Sequence, residues 1–548
     1  MELAPRSFSF QLPLSGAALA ALSLAFVLPG LAGHDPWKSH DALGIGVAFQ
    51  MALSGEAIIP RIGELAWLAD PPLYHWVAAA LGKLLGGLLP FHAGARLASG
   101  IFMLGALWLM RVAARDWSLG EERTAVTGAG ALLLLVGSVG LMVHAHEAVP
   151  ELASLAALCG ALAALPDASR RPLAAGALFG AALGFAFLSS TWMAPAALGL
   201  AVLLAHAVCP EWRKRSALPF LLCGFSVAAA LAASWPVALY WRSPELFAAW
   251  WNISTRAGGE LGSNLRYVLA NGSWFAWPAW PLALWAAWSL RRRWTDPRIL
   301  VPGAASLLYV AGLAVWGPPQ SVNFIPVLAP LCLLASQGIP TLRRGAASAL
   351  DWFGVVTFAF FAGLIWLGYV AMMTGAPPRV AANFSRLAPG FVPQFEVVPL
   401  AIAVLLTLAW MAVVFLTAPS PLRSVARWAA GMTLLWGTFA MLWMPWADYQ
   451  KSYRGVAQAL RARLPADARC VAAADVGVPQ RAAIHYHAGI RTQTFDPLAP
   501  RACPYILVQS QPQQEIAPSG SARLADAGRP GDRVERLRLY RLKEPARR

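Results

Sequence analysis

Apolar runs of near-spanning length recur along the first 445 residues, and short polar segments separate them. Because about 20 apolar residues of helix cross the core of a bilayer, these runs predict membrane spans. The expected spans are 13–32, 97–112, 125–143, 152–166, 173–188, 193–208, 217–235, 274–290, 299–316, 325–340, 350–372, 396–416 and 428–445. The pattern therefore predicts an all-α polytopic membrane protein with about thirteen transmembrane helices.

Lysine and arginine are concentrated in every second predicted loop. These basic residues are Arg111, Arg115, Arg123, Arg170, Arg171, Arg213, Lys214, Arg215, Arg291, Arg292, Arg293, Arg298, Arg343, Arg344, Arg423 and Arg427. The opposite loops 144–151, 189–192 and 317–324 contain neither residue type. Because basic loops stay in the cytoplasm, we expect the N-terminus inside and the C-terminus outside. Counting 73–89 as a span would break the alternation, so this run is predicted to be an interfacial or re-entrant helix.

The chain changes character after residue 445, where it becomes charged and contains prolines. The segment SYRGVAQALRARL predicts an amphipathic helix, and the runs 470–474 and 505–509 predict strands. We expect 1–445 to be a transmembrane catalytic domain with a first periplasmic loop at 33–96, and 446–548 to be a small periplasmic α/β domain. Cys470 and Cys503 lie beside the two predicted strands, and an oxidising compartment favours a disulfide between them.

Composition excludes an ordinary soluble protein. Of the 548 residues 58% are hydrophobic and 13% are charged, and the mean hydropathy is +0.54. The isoelectric point of about 10.2 is compatible with nucleic-acid binding, but the basic residues sit in short loops between apolar runs. This distribution indicates membrane orientation, and no nucleic-acid partner is expected.

Titratable residues are scarce in the spans and gather in the outer loops. An ion-coupled transporter normally needs such groups at membrane depth, so this distribution disfavours one. One cluster lies in the first loop and the other at 144–151, and their members are Asp35, Lys38, His40, Asp41, Asp70, His144, His146, Glu147 and Glu151. Two acidic clusters on one face suit a general base and an orienting carboxylate, although solvated loop ends remain the alternative.

Two binding hypotheses come from the outer loops. His40, His144, His146 and Glu147 are suitable ligands for a divalent metal ion, the one cofactor considered. The loop 236–273 adds arginines to interfacial tryptophans, and Arg256 and Arg266 suit a phosphate or pyrophosphate. A simple interfacial anchor is the alternative for this second loop.

Several motifs of the first loop resemble a known family. They are Met51 with Ser54-Gly55-Glu56 and Pro60, then Pro71-Pro72-Leu73 with Tyr74 and Trp76, then Arg96-Leu97. The later segment SVNFIPVLAPLCLLAS fits the same pattern. Together they resemble the GT-C glycosyltransferases, specifically the lipid A aminoarabinose transferases and the protein O-mannosyltransferases (glycosyltransferase 39-like).

The resemblance implies a multi-pass enzyme of the bacterial inner membrane with its active site on the periplasmic side. Such an enzyme takes a sugar from a polyprenyl-phosphate carrier such as undecaprenyl phosphate. It gives the sugar to lipid A, a glycan or a protein, and membrane lipids surround it. A lipid-linked sugar transporter and a non-catalytic envelope assembly protein are the alternatives.

The resemblance also implies roles for individual residues. Aligned through Met51, the family's Asp-Glu pair falls on His40-Asp41, which makes Asp41 the expected catalytic carboxylate with Asp35 in reserve. The second acidic site falls near Glu151, and Ala69-Asp70 replace the family's Glu-Lys. The expected substrate-binding residues are His40, Lys38, Asp70, Tyr74, Arg96, Arg256 and Arg266. We expect Asp41 to be an exposed loop carboxylate at the positive end of a surface helix formed by GIGVAFQMALSG.

Overall fold

The computed structural model describes residues 14–120, 123–213, 217–317, 319–466, 468, 470–495 and 503–542. Residue 13 of the first predicted span and the basic residues Lys214 and Arg215 lie outside these ranges. The α-helices are α1 (Gly16–Val27), α2 (His40–Ser54), α3 (Leu73–Leu84), α4 (Phe91–Asp116), α5 (Thr124–Val136), α6 (Leu141–His144), α7 (Glu151–Ala164), α8 (Pro172–Ser189), α9 (Met193–Val208), α10 (Ala217–Arg242), α11 (Pro244–Thr255), α12 (Leu261–Phe275), α13 (Ala279–Ser289), α14 (Pro297–Trp316), α15 (Leu328–Gly338), α16 (Arg344–Thr374), α17 (Pro378–Leu387), α18 (Val397–Leu416), α19 (Arg423–Leu442), α20 (Met444–Lys451), α21 (Arg454–Arg461) and α22 (Val478–Ala488). Short 3-10 helices span Leu165–Asp167, Arg291–Arg293, Ser321–Phe324 and Ile339–Thr341.

Every predicted span overlaps a helix, and the protein is a multi-pass helical membrane protein. By length and composition, six of the described helices are able to cross a membrane, namely α4, α8, α10, α14, α16 and α18. Shorter apolar helices include α1, α5 and α9 and the run Leu328–Thr341. The total of thirteen spans stays a prediction.

The predicted span 125–143 is divided by a break between α5 and α6. The backbone N–H of Val139 donates to the carbonyl of Trp277, and that of Gly140 donates to the carbonyl of Phe275. A Cβ at Gly140 would lie 2.2 Å from the ring of Phe275, so the close approach requires glycine. The chain exchanges helical hydrogen bonds for tertiary ones here, which a pattern of apolar residues does not reveal.

The run predicted to be interfacial or re-entrant forms α3. This helix has twelve residues, a length of about 18 Å. That is well short of the roughly 30 Å core of a bilayer. α3 packs against α2 and α4, and it buries Tyr74, His75 and Ala78. Since α1, a predicted span, also has twelve residues, the non-spanning assignment of this run stays a prediction.

Glycines bring α8 and α10 into direct backbone contact. Gly176, Gly180 and Gly184 recur every four residues along one face of α8. A Cβ at Gly180 would lie 2.1 Å from the carbonyl oxygen of Gly224, and one at Gly176 would lie 2.6 Å from that of Phe220. Small residues at this spacing allow helices in lipid to associate through van der Waals contact.

The C-terminal segment forms a mixed five-stranded sheet. The strands of this sheet are β3 (Val471–Ala474), β4 (Thr492–Thr494), β5 (Tyr505–Ser510), β6 (Ser521–Ala527) and β7 (Arg536–Leu542). Earlier in the chain, β1 (Arg61–Ile62) and β2 (Leu65–Ala66) form a separate two-stranded hairpin in the first loop. The order is β4-β3-β5-β7-β6, with β3 parallel to β4 and β5 and with β7 antiparallel to its neighbours. A disulfide joins Cys470 to Cys503 just before β3 and β5. The domain boundary at 446 stays a prediction.

The sheet unit rests on the first loop through α2 and α22. Gly55 follows the last residue of α2 and caps the helix; its φ of 72° is a left-handed conformation that favours glycine. A Cβ at Gly44 would lie 1.8 Å from the carbonyl oxygen of Ala148, and one at Gly46 would lie 2.7 Å from Cβ of Ala482 in α22. The expectation of a helix on the membrane surface is wrong, because α2 is enclosed between the bundle and the C-terminal unit.

Candidate active site

Asp41 lies in the first turn of α2 and is fully buried. Arg96 donates to it twice, from Nη2 to Oδ2 over 2.6 Å and from Nε to Oδ1 over 3.0 Å. The backbone N–H groups of Trp37 and Ala148 donate to it over 3.1 and 2.9 Å. Burial opposes ionisation, but the charge and hydrogen bonds of Arg96 outweigh it and lower the pKa of Asp41. The expectation of an exposed carboxylate is wrong, because this group is an enclosed ionic anchor.

Arg96 is the other half of this anchor and is also fully buried. Its Nη1 donates to the carbonyl of His34 and its Nη2 to the carbonyl of Asp35, each over 2.8 Å. The guanidinium thus joins α4, α2 and the loop that precedes α2. These protein contacts occupy the group that was expected to bind substrate.

Asp35 is buried where the first loop meets the C-terminal unit. Arg454 contacts both of its oxygens, and the Ser452 hydroxyl donates to Oδ2 over 2.6 Å. Burial raises the pKa of Asp35, but hydrogen bonds from Arg454 and Ser452 lower it to about 2. Asp448 binds the same loop, accepting from the backbone N–H of Asp35 over 2.9 Å and from Nε1 of Trp37 over 2.7 Å.

Lys38 also binds the C-terminal unit. Its Nζ lies 3.0 Å from Oε2 of Glu535, a carboxylate that is 8% exposed in its side chain. Gln480 and Gln509 donate to the same oxygen over 3.0 Å each. Lys38, like Asp35 and Arg96, holds the first loop in place in this structure.

His40, His144 and Glu147 form a half-buried cluster near the start of α2. Nδ1 of His144 lies 2.6 Å from Oε2 of Glu147, and the rings of His40 and His144 are 6.2 Å apart. The His144 ring also stacks on Phe275 at 6.0 Å. Burial lowers the pKa of His40.

His146 points away from that cluster and is buried. Its ring nitrogens lie 3.1 and 2.7 Å from the carbonyl oxygens of Met142 and Phe26, and the ring stacks on Trp436 at 4.4 Å. Within the described ranges, no group of three or more His, Cys, Asp or Glu side chains is placed to hold a metal ion. The four expected ligands His40, His144, His146 and Glu147 are therefore not brought together.

Glu151 and Asp70 form a carboxyl pair of a different kind. Glu151 begins α7 and is 6% exposed, while Asp70 precedes α3 and accepts from Nε1 of Trp67 over 3.2 Å. Burial raises the pKa of both carboxyls, and the charge of Asp70 raises that of Glu151 further. A carboxyl whose pKa is moved towards neutrality is suited to exchange a proton.

A cavity of about 160 Å³ lies next to the segment that carries Asp70. Ala69 and Pro71, the neighbours of Asp70, line it together with Arg256. Ser190 also lines it, and its hydroxyl is buried with no hydrogen-bond partner among the described residues. The cavity thus combines a cation with a hydroxyl that has no partner among the described residues, while Asp70 lies between two of its lining residues and does not itself line it.

An apolar groove of about 520 Å³ adjoins the cavity between α10 and α11. Phe187 and Trp250 line both spaces. Tyr240, Trp241 and Trp251 line the groove but not the cavity, and they are more than half exposed, at 51%, 81% and 56%. Aromatic exposure on this scale in a membrane protein marks a surface for hydrocarbon.

The remaining expected residues are separate from this cavity. The Tyr74 hydroxyl is fully buried and donates to Ser99 Oγ over 2.7 Å, since Ser99 itself donates to the carbonyl of Glu147. Arg266 is exposed on α12 and does not line the cavity.

Sequence reasoning missed the cavity-lining Ser190 and Thr191 and the anchors Asp448, Arg454 and Glu535. The available signal for the first two was the short polar segment 189–192 between two apolar runs. Nothing local marks the three anchors, because their partners lie hundreds of positions away along the chain.

The helical bundle and the first loop buried beneath an α/β unit form a fold that is shared with solved structures. The resemblance seen in the first-loop motifs is confirmed for the fold.

ArnT from Cupriavidus metallidurans has this fold. Its apo structure matches with a TM-score of 0.68 and its complex with undecaprenyl phosphate with 0.67, each at 18% identity over 95% of this chain and 97% of that chain. In sequence, the chain is 25% identical over 361 residues to the undecaprenyl phosphate-alpha-4-amino-4-deoxy-L-arabinose arabinosyl transferase 2 of Pseudomonas fluorescens (strain Pf0-1). That match spans 61% of this chain and 61% of the relative. No family model matches the sequence.

Proposed function

We propose that the protein is an integral-membrane glycosyltransferase that moves a sugar from a polyprenyl-phosphate carrier to an extracytoplasmic acceptor. The observation that carries the proposal is the junction of the cavity lined by Arg256 with the apolar groove at Phe187 and Trp250. A lipid carrier lying across this junction places its phosphate at Arg256 and its hydrocarbon chain along exposed aromatic side chains. The carrier's sugar then lies beside Asp70 and Glu151.

The relatives support the class of carrier. One is named for undecaprenyl phosphate-linked aminoarabinose, and the structural neighbour binds undecaprenyl phosphate. For this chain we propose an undecaprenyl-phosphate sugar as donor and lipid A, a glycan or a protein as acceptor. The thirteen helical spans would lie in the bacterial inner membrane, with the carboxyl pair and the C-terminal α/β domain on the periplasmic side.

Glu151 is the proposed general base. It removes the proton from the acceptor hydroxyl, whose oxygen forms a bond to the anomeric carbon while the bond from that carbon to the carrier phosphate breaks. The phosphate leaves with the bonding electron pair, and Arg256 stabilises its charge. Asp70 orients the sugar and holds the pKa of Glu151 high. Asp41 has no lone pair free for this role and is a positioning residue.

A transfer assay on the full chain in lipid nanodiscs tests these roles. The probe donor is undecaprenyl-phosphate aminoarabinose and the probe acceptor is lipid A, and product is measured by mass spectrometry. Glu151→Gln is expected to lower the transfer rate by about 10²–10⁴-fold. Arg256→Gln is expected to lower it by about 10–100-fold, because one charged hydrogen bond to the leaving group is lost. Arg266→Gln, an exposed arginine outside the cavity, is the matched control and should keep the wild-type rate.

Mass spectrometry of lipid A, surface polysaccharide and envelope proteins from a deletion strain identifies the acceptor. If Glu151→Gln and Arg256→Gln transfer sugar at the wild-type rate, the proposed site is wrong. Movement of an intact lipid-linked sugar across the bilayer without transfer would favour the transporter. Loss of envelope assembly on deletion of 446–548, with Glu151→Gln fully active, would favour the assembly protein.

A further inference from the structure

A second cavity, with arginines in its wall, lies where α16 and α19 begin. It measures about 630 Å³ and is formed by the end of the 3-10 helix Ile339–Thr341, the start of α16, the loop before α19 and the first turn of α19. α19 has twenty residues and is about 30 Å long. Its other end packs through Trp436 and Ala440 against Trp37 of the first loop. The cavity therefore lies at the opposite membrane face from the proposed active site, among loops predicted to be cytoplasmic.

Buried polar groups without partners are concentrated at this cavity. Ser424 lines it and is 4% exposed, and its hydroxyl has no hydrogen-bond partner among the described residues. Oδ1 of Asp351 also lines it without such a bond in the described part of the chain, and Nε of Arg423 has only an ionic contact of 3.5 Å, to Oδ2 of Asp351. A buried polar atom left unpaired is destabilising, so these atoms together point to a ligand that supplies partners.

The charges at the cavity favour an anion. The carboxylate of Asp351 lines the cavity, and Nη1 of Arg427 donates to its Oδ2 over 2.7 Å. Arg423 reaches the same oxygen only at 3.5 Å, and its side chain is 35% exposed. Arg344 lines the cavity and is exposed. Two guanidinium groups thus face the cavity beyond the one that neutralises Asp351.

The opening of the cavity faces the membrane boundary. Trp352 lines it and is 70% exposed, a position typical of the aromatic belt at a lipid–water interface. Ile339, Leu342 and Pro419 add apolar wall next to the arginines. Basic pockets between helices on the cytoplasmic side are suited to anionic phospholipid head groups.

We propose that this cavity binds the head group of an anionic phospholipid of the inner leaflet, with the phosphate at Arg423, Arg344 and Ser424. A head-group hydroxyl, as in phosphatidylglycerol, donates to the free Oδ1 of Asp351. The bound lipid joins the loop before α19 to the start of α16. This site is independent of the transfer reaction at the other face.

Binding is measured on the full chain in detergent by native mass spectrometry and thermal unfolding, with dioleoylphosphatidylglycerol as the probe. Dioleoylphosphatidylcholine tests whether net head-group charge matters, and inorganic phosphate distinguishes a free anion from a lipid. We expect phosphatidylglycerol to bind and raise the melting temperature, and the other two probes to have a much smaller effect.

Arg423→Gln should weaken phosphatidylglycerol binding about tenfold, since a charged hydrogen bond to phosphate is lost. Ser424→Ala should weaken it several-fold without lowering the melting temperature of the lipid-free protein, because no described residue forms a hydrogen bond with its hydroxyl. Arg292→Gln, an exposed arginine on the same predicted face, is the control and should bind like the wild type. Equal binding by all three variants, or equal stabilisation by phosphatidylcholine or by inorganic phosphate, would overturn the proposal.

Discussion

Asp41 and Glu151 are both buried carboxyls, but their neighbours give them opposite chemistry. Asp41 receives four hydrogen bonds, two of them from a guanidinium, so its charged form is favoured. Glu151 is buried and has the carboxyl of Asp70 as its charged neighbour, so its charged form is disfavoured and its pKa is raised. The first arrangement stabilises the fold, and the second is the one that suits proton transfer.

Asp41→Asn is expected to destabilise the protein by about 3–5 kcal/mol, because it leaves Arg96 charged and unpaired in the interior. Thermal unfolding of the purified protein measures this loss. Glu64→Gln replaces an exposed carboxylate and should leave the melting temperature unchanged. A stable but inactive Asp41→Asn protein would restore Asp41 as the base.

The pH dependence of transfer should reflect the raised pKa of Glu151. Because the group must lose its proton to act as a base, the rate rises with pH through a midpoint above the usual value of about 4.3 for glutamate. Asp70→Asn removes the like charge that contributes to this shift, so the rising limb should move to lower pH. If the rising limb of the Asp70→Asn pH–rate profile stays at the wild-type pH, the charge of Asp70 does not raise the pKa of Glu151.

At the scale of elements, α2 connects the membrane bundle to the C-terminal unit. Ala148 illustrates how closely it is held, since its N–H donates to Asp41 and its carbonyl lies against Gly44. α22 covers the opposite side of α2 at Gly46. Its position explains why the polar first loop is buried: partners from both sides pair its charges.

Gly44→Ala is expected to destabilise the protein by about 1–3 kcal/mol, since the added methyl overlaps the carbonyl of Ala148. The matched control is Gly105→Ala in α4, where no atom lies within 4 Å of the added Cβ. That change should be neutral or slightly stabilising because alanine favours helix. Unfolding temperatures of the two variants provide the comparison, and equal values would refute the close packing of α2.

The disulfide between Cys470 and Cys503 closes a separation of 33 residues. In the chain-entropy model, it stabilises the sheet unit by about 3–4 kcal/mol. The double change to serine should therefore lower the unfolding temperature of that unit, while Cys223→Ser at a free cysteine should not. Maleimide labelling of protein purified without reductant checks the bond, and reaction at both positions would show that it is absent.

At the scale of the whole molecule, the proposed topology places the carboxyl pair at the outer membrane face and the arginine cavity at the inner face. Cysteines introduced at Gly120 and Thr295 should be protected from an impermeant maleimide in intact cells. A cysteine at Gly520 in the C-terminal unit should react once the outer membrane is permeabilised. Labelling of the first two from outside would reverse the proposed topology and the assignment of 73–89.

The amino-acid sequence alone determined the helical membrane architecture and the approximate positions of the apolar helices, and it predicted two strands of the C-terminal unit, β3 and β5. It also proposed Glu151, Asp70 and Arg256 as site residues. These features depend on apolar periodicity and local motifs, which are properties of neighbouring residues. Only the tertiary structure decided that Asp41, Asp35, Lys38 and Arg96 are anchors and that His146 leaves the histidine cluster. Whether a charged side chain faces a substrate or the protein depends on partners brought together by folding, such as Arg454 for Asp35, and those partners are distant in sequence.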